Sequence, residues 1–272
     1  MRLRFCLLTV LVCLWTERVM PADPSTFAHV YCSAAKEQSI DRLQLDLTTG
    51  DIRRIARHKI PGEPGALAAS PDRRFLFACL RSTGQLASFR IEPKTGELAT
   101  ISVIDAGPDP AQISVDATGR FLLTAYYVAA KVTVHSISDQ GELNPAPRQS
   151  VSTADKAHAI VPDRTNHFAY VPHTGPNSIY QFEFHAGQGQ LIPLQPSRLE
   201  RPANTGPRHL AWHPVLPIAY VDNEQSSSVT AYSVQENGSL RPGNTVTTLP
   251  GTFTGPNSTA EIKVHPSGRF LY

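Results

Sequence analysis

The sequence has few cysteines, little excess charge and only one long hydrophobic run. Its 272 residues include 4 cysteines and carry a formal net charge of +2. Two cysteines lie within the first 22 residues, and the other two, Cys32 and Cys79, are too few for a disulfide framework and have no metal-ligand spacing. The near-zero charge gives no electrostatic reason to expect binding to nucleic acid or to an anionic membrane.

The hydrophobic run covers residues 5–15 and follows two basic residues, Arg2 and Arg4. It is too short to span a membrane as a helix. A basic start, a short apolar stretch and a small residue before the cleavage point are typical of a secretory signal. We therefore expect residues 1–22 to be a signal peptide and residues 23–272 to be exported without stable membrane insertion. The alternative is a cytoplasmic protein.

Helical periodicity is absent from the rest of the chain, and 23 prolines and 17 glycines predict many turns. The sequence contains a repeat instead of a helical pattern. Each copy has an apolar run, a tight turn and a triplet resembling Phe-Leu-Tyr, followed later by a Gly-Glu-Leu-like marker. The clearest copies are SPDRRFLF at 70–77 and HPSGRFLY at 265–272. The triplets begin, at intervals of 46 to 52 residues, at His29, Phe75, Phe121, Phe168, Ile218 and Phe270.

Four β-like stretches occur in each repeat. In the second repeat they are residues 66–70, 75–80, 86–91 and 101–104. Four strands per repeat of this length indicate the blade of a β-propeller, so we predict an all-β fold. The chain holds five complete units and part of a sixth, where seven are expected in the full protein. The first unit begins at its triplet and lacks its own inner strand, so we expect a propeller domain incomplete at its C-terminus. Both Cys32 and Cys79 lie in apolar strand-like runs and are expected to be buried.

Four segments carry a more specific signal: GPRHLAWHP at 206–214, YVDNE at 220–224, SVTAY at 228–232 and AEIKVHP at 260–266. Together with the repeat they resemble the seven-bladed propeller lactonase family, which includes the propeller-type 6-phosphogluconolactonases and the carboxymuconate-lactonising enzymes. The resemblance implies a hydrolase of sugar lactones in carbohydrate metabolism that uses no cofactor. We expect a monomer whose partner is a small lactone or carboxylate. A muconate-type cycloisomerase and a non-catalytic propeller scaffold are the alternatives.

The repeat register places five polar residues together. Ten residues before each triplet an inner strand begins, and six residues after the triplet start its antiparallel neighbour ends. These two points lie at the same face of the ring. His158, Arg208, His209, Glu224 and Glu261 should therefore crowd one mouth of the central channel. Ligand sites favour such concave places with a few convergent polar groups.

Lactone hydrolysis needs a donor for the charge that grows on the carbonyl oxygen and a base that activates water. Arg208 offers a charged donor fork suited to an oxyanion, carboxylate or phosphate. Either His158 or Glu224 could be the base, with the other orienting it. The family resemblance implies that these three residues are catalytic, and it places a further arginine of the family beyond Tyr272.

Three other residues, His209, Glu261 and Asn223, are expected to bind substrate, and no metal site is expected. Structural roles remain open for several of these groups. Arg208 and Glu224 could form only a structural ion pair, and His158 could be a hydrogen-bonded core histidine. His209 could likewise be structural, and Glu261 could pair with a neighbouring basic group.

Overall fold

The computed structural model describes residues 26–272, and the predicted signal segment, residues 1–22, lies outside them. Within this range the chain forms 19 β-strands and no α-helix. The first sheet contains β1 (Phe27–Ala34), β2 (Ser39–Asp46) and β3 (Ile52–Lys59). The second contains β4 (Pro64–Ala69), β5 (Phe75–Leu80), β6 (Gln85–Ile91) and β7 (Leu98–Asp105). The third contains β8 (Pro110–Val115), β9 (Phe121–Tyr126), β10 (Lys131–Ser136) and β11 (Gln149–Ser152).

The fourth sheet contains β12 (Val161–Pro162), β13 (Phe168–His173), β14 (Ser178–His185) and β15 (Gln190–Glu200). The fifth contains β16 (Pro207–Trp212), β17 (Ile218–Asn223), β18 (Ser228–Val234) and β19 (Leu240–Thr247). Strand order within every sheet is the order along the chain, and all neighbours are antiparallel. An isolated bridge between Val264 and Leu271 begins a sixth unit. These successive four-stranded meanders are propeller blades, as the repeat predicted, and the first sheet has three strands as expected.

The hydrophobic core lies between successive blades rather than within one of them. One cluster joins Phe77 and Cys79 of the second blade to Ile113 and Leu122 of the third. Similar clusters lie between the first and second, third and fourth, and fourth and fifth blades. The triplet strands β5 and β9 are buried along their whole length because each blade packs against neighbours on both faces. The inner strands consequently lie side by side, with β4 against β8 and β8 against β12.

A glycine in the marker turn of the second, third, fourth and fifth blades packs against the preceding blade and limits the distance between the two. Gly189, between β14 and β15, lies against the ring of Phe121, the first triplet residue of the third blade. A Cβ on Gly189 would lie 2.4 Å from Cε1 of Phe121, and the glycine has a φ of +69°. Three other pairs repeat this contact: Gly96 with His29, Gly141 with Phe75 and Gly238 with Phe168. Both the close ring contact and the left-handed backbone therefore require glycine in the marker.

The two cysteines differ in burial. Cys79 on β5 is fully buried, as predicted, and burial raises the pKa of its thiol to about 11. Cys32 on β1 is exposed, so the prediction for this residue was wrong. The reason is tertiary, because β1 is the edge of the three-stranded first sheet in the described part of the chain.

We predict that Gly189→Ala lowers the free energy of unfolding by about 2–4 kcal/mol, because the new Cβ is forced into a left-handed conformation and against the Phe121 ring. Gly187→Ala is the matched control in the same turn, since nothing lies within 4 Å of its Cβ position. That variant should stay within about 0.5 kcal/mol of the parent. Urea unfolding measures both, and equal midpoints for the two variants would contradict the interblade role of Gly189.

Candidate active site

A bulge in the inner strand of the fifth blade presents two of the predicted residues. The pairing of β16 with β17 shifts register between Pro207 and Leu210, so Arg208 and His209 lie within the irregular stretch. The backbone N–H of His209 donates to Oδ1 of Asp222 at 2.6 Å, which holds the bulge in place. The inner strands β4 and β8 carry register shifts at the same point of the repeat. Bulges re-aim side chains, and here the repeat supplies one at the predicted channel mouth.

Arg208 is paired with Glu224, which follows β17 directly. Nε of Arg208 lies 3.0 Å from Oε2 of Glu224, and the two side chains are 20% and 33% exposed. The backbone N–H of Glu224 donates to the carbonyl of Gly206 at 2.7 Å and fixes the end of the strand. The structure therefore brings these two residues together in an ion pair that remains accessible from solvent.

Two histidines and a carboxylate form a hydrogen-bonded row across three repeat units. Nδ1 of His158 lies 3.2 Å from Nε2 of His209. Nδ1 of His209 in turn lies 3.2 Å from Oε1 of Glu261. The rings of the two histidines meet edge to face, with centroids 4.9 Å apart. We call these three residues the His-His-Glu row.

His158 is held in the segment just before β12. Its backbone N–H donates to the carbonyl of Pro172 at 3.0 Å. Burial lowers the pKa of its imidazole to about 3, and the positive charge of Arg208 acts in the same direction. His158 is therefore neutral at pH 7 and is a hydrogen-bond partner in the site instead of a cation.

The carboxylate at the far end of the row is ionised. Partial burial acts to raise the pKa of Glu261, but the hydrogen bond and charge of His209 outweigh it and lower that pKa to about 2. Oε1 of Glu261 also accepts from the backbone N–H of Ile262 at 3.0 Å and from Nζ of Lys263 at 3.1 Å. Asp222, beneath the bulge, has its pKa raised by burial.

The structure adds two residues to the mouth that sequence reasoning did not single out. The ring of Tyr127 meets that of His158 edge to face, with centroids 5.6 Å apart. Arg81, whose Nη2 lies 2.7 Å from Oδ1 of Asp109, also acts electrostatically on His158. Both occupy the repeat position that Glu224 has in the fifth blade, so the repeat register places them at this mouth, although they were not named as candidates.

Asn223 is not brought to the solvent-facing cluster. Its side chain has no exposed surface, and its amide donates to the hydroxyls of Ser228 and Thr230 at 2.9 Å each. The physical reason is strand alternation: Asn223 precedes Glu224, so the two side chains leave the strand on opposite sides. Asn223 therefore ties β17 to β18 within the blade, in place of the expected substrate contact.

Among residues 26–272, no group of three or more His, Cys, Asp and Glu side chains is arranged to hold a metal ion. Over the same range there is also no helix with the length and apolar character needed to cross a membrane.

The mouth offers an arginine–glutamate pair beside a neutral, hydrogen-bonded histidine. Such a set can bind an anion or an oxyanion, and it can move a proton.

Comparison with known proteins places these features in a family. Residues 27–272 match the sequence profile described as lactonase, 7-bladed beta-propeller. The 6-phosphogluconolactonase of Yersinia pestis (strain Pestoides F) is 31% identical over 244 residues, which are 89% of this chain and 72% of that protein. The corresponding protein of Yersinia enterocolitica is 30% identical over the same shares.

A solved structure shares the fold. The periplasmic gluconolactonase of Pseudomonas aeruginosa superposes with a TM-score of 0.80 at 23% identity, covering 90% of this chain and 75% of that one. The profile match spans all but the first residue of the described range, and it agrees with the blade architecture. The chain therefore belongs to the seven-bladed β-propeller lactonase family.

Proposed function

We propose that the protein hydrolyses the ring ester of a sugar lactone at the mouth formed by His158, Arg208 and Glu224. The observation that carries the proposal is the Arg208–Glu224 ion pair, set at 3.0 Å on a bulged strand next to a neutral histidine. Relatives at 30–31% identity are named 6-phosphogluconolactonases, which supports this reaction class. The reaction adds water to the lactone carbonyl and opens the ring to a hydroxy acid.

The contacts favour His158 over Glu224 as the base. The carboxylate of Glu224 is engaged by the guanidinium of Arg208, whereas Nε2 of His158 hydrogen bonds to no other residue that the structure describes. His158 can therefore accept a proton from water at Nε2. Arg208, oriented by Glu224, is then the donor that stabilises the oxyanion of the tetrahedral intermediate or holds an anionic group of the substrate.

We expect Arg208→Ala and Glu224→Gln to lower kcat/KM for gluconolactone hydrolysis by about 10²- to 10³-fold, the usual cost of losing one oxyanion donor. Circular dichroism and urea unfolding check that the blades remain folded. Assays on cis,cis-muconates, run in parallel, test for cycloisomerisation. Unchanged lactone turnover in both variants would refute the site and leave the scaffold interpretation.

The pH dependence follows from the environment of His158. A base with the ordinary histidine pKa of about 6.5 would lose activity as the pH falls through that value. Because burial and Arg208 lower the pKa of His158 to about 3, its lone pair stays free in mildly acidic solution. We expect protonation of His158 to add no acid limb to kcat/KM between pH 7 and about pH 5. An acid limb near pH 6.5 that persists when His209 is replaced by glutamine would contradict this assignment.

Export is also part of the proposal. The segment 1–22 has the sequence character of a signal peptide, and the related Pseudomonas aeruginosa protein is a periplasmic gluconolactonase. An exported enzyme would meet free sugar lactones in preference to phosphorylated ones. N-terminal sequencing of the protein recovered from an exporting host should begin near Asp23. A mature chain that begins at Met1 would favour the cytoplasmic alternative.

A further inference from the structure

As a base, His158 takes up a positive charge in surroundings that oppose it. The residue is 8% exposed, and the charges of Arg208 in the fifth blade and Arg81 in the second blade act on it. Removing a proton from water creates an imidazolium, which is costly in a buried position beside two guanidinium groups. The catalytic proton is therefore more stable at a neighbouring group, if one can accept it.

The hydrogen bonds of the His-His-Glu row determine where its protons lie. An ionised carboxylate only accepts hydrogen bonds, so Glu261 requires Nδ1 of His209 to be the donor. Nε2 of a neutral His209 is then the acceptor, and Nδ1 of His158 must donate to it. This arrangement leaves the lone pair of His158 on Nε2, the atom that hydrogen bonds to no other described residue.

We propose that His209 carries the positive charge that arises when His158 takes a proton from water, as an imidazolium paired with the Glu261 carboxylate. This inference rests on the proposed lactone hydrolysis and deepens it. His209 and Glu261 act through His158 and are positioning residues in this scheme, which replaces the substrate-binding roles expected from the sequence.

Hydrolysis of the lactone proceeds in two steps. In the first, an O–H bond of water breaks and its proton goes to Nε2 of His158, while the proton on Nδ1 of His158 moves to Nε2 of His209. The oxygen of the water bonds to the lactone carbonyl carbon, and the carbonyl electron pair moves to its oxygen. In the second, that pair returns, the ring C–O bond breaks, and the leaving oxygen takes the proton from Nε2 of His158. His209 then returns its proton to Nδ1 of His158.

The charges around the two rings favour this direction. Tyr127, Arg81 and Arg208 face His158, and the last two are cations. Around His209 the facing groups are carboxyls: Glu261 through Nδ1, and Asp222 through the backbone N–H. Lys263 donates to the same oxygen of Glu261 that His209 contacts, and the charge of Arg208 acts on Asp222. A positive charge is consequently better placed on His209 than on His158.

The experiment compares His209→Ala with His209→Gln in gluconolactone hydrolysis. A glutamine amide can accept the hydrogen bond from His158 but cannot take up its proton. We expect both variants to lose about 10²-fold in kcat with KM changed less than 3-fold, the scale of a lost acid–base function. His185→Gln is the matched control, because it breaks a histidine–glutamate pair of 2.8 Å at the end of β14 that lies away from the mouth. This variant should keep the parent kcat.

Wild-type kcat in His209→Gln would overturn the proposal, since orientation alone would then suffice. A rise in KM without loss of kcat in both variants would also overturn it and assign His209 to substrate binding. Imidazole ¹⁵N shifts of the parent provide a readout that needs no activity. We expect His158 to be protonated at Nδ1 and bare at Nε2 at pH 7, and the reverse tautomer would refute the row as drawn. Failure of the parent to hydrolyse any lactone would refute the proposed function, while the ¹⁵N shifts still test the row.

Discussion

The packing of a marker glycine against the first triplet residue of the preceding blade sets how closely successive blades approach each other. A Cβ on Gly189 would overlap the ring of Phe121, and this contact occurs at four blade junctions in all. Because no side chain larger than hydrogen fits there, each blade approaches its neighbour to a fixed distance. That distance packs the apolar faces of neighbouring blades and brings the inner strands side by side.

The channel mouth follows from this packing. The inner strands β4, β8 and β16 carry a register shift at the same repeat position, so the residues there meet at one level. In the second blade the position is occupied by Gly65 and Ala66, and the side chain of Arg81 lies against Gly65. In the fifth it is occupied by Arg208 and His209, which bring charge and hydrogen-bonding capacity to the mouth. A repeated scaffold thus becomes a chemical site by substitution at equivalent positions, with no change in backbone plan.

The electrostatics of the mouth are asymmetric. Cationic groups face His158, and carboxyl groups face His209, although the two rings are in contact. The pairing of Arg208 with Glu224 places a donor fork next to this histidine pair and leaves Nε2 of His158 without a hydrogen-bond partner among the described residues. In the proposed reaction, adjacent but separate groups therefore bind the carbonyl oxygen and accept the proton.

The blade repeat, the fold class and the residues of the mouth other than Asn223 could be predicted from the sequence, because strand periodicity and repeat register are local properties that recur along the chain. The predicted strand at 75–80 coincides with β5, while the one at 101–104 was too short because β7 (Leu98–Asp105) lies at the outer edge and alternates weakly. Which side chains are in contact depends on the tertiary structure. It buried Asn223 within a blade, exposed Cys32 at a sheet edge and joined His158, His209 and Glu261 across three repeat units. Those outcomes depend on distances between blades, which no single repeat encodes.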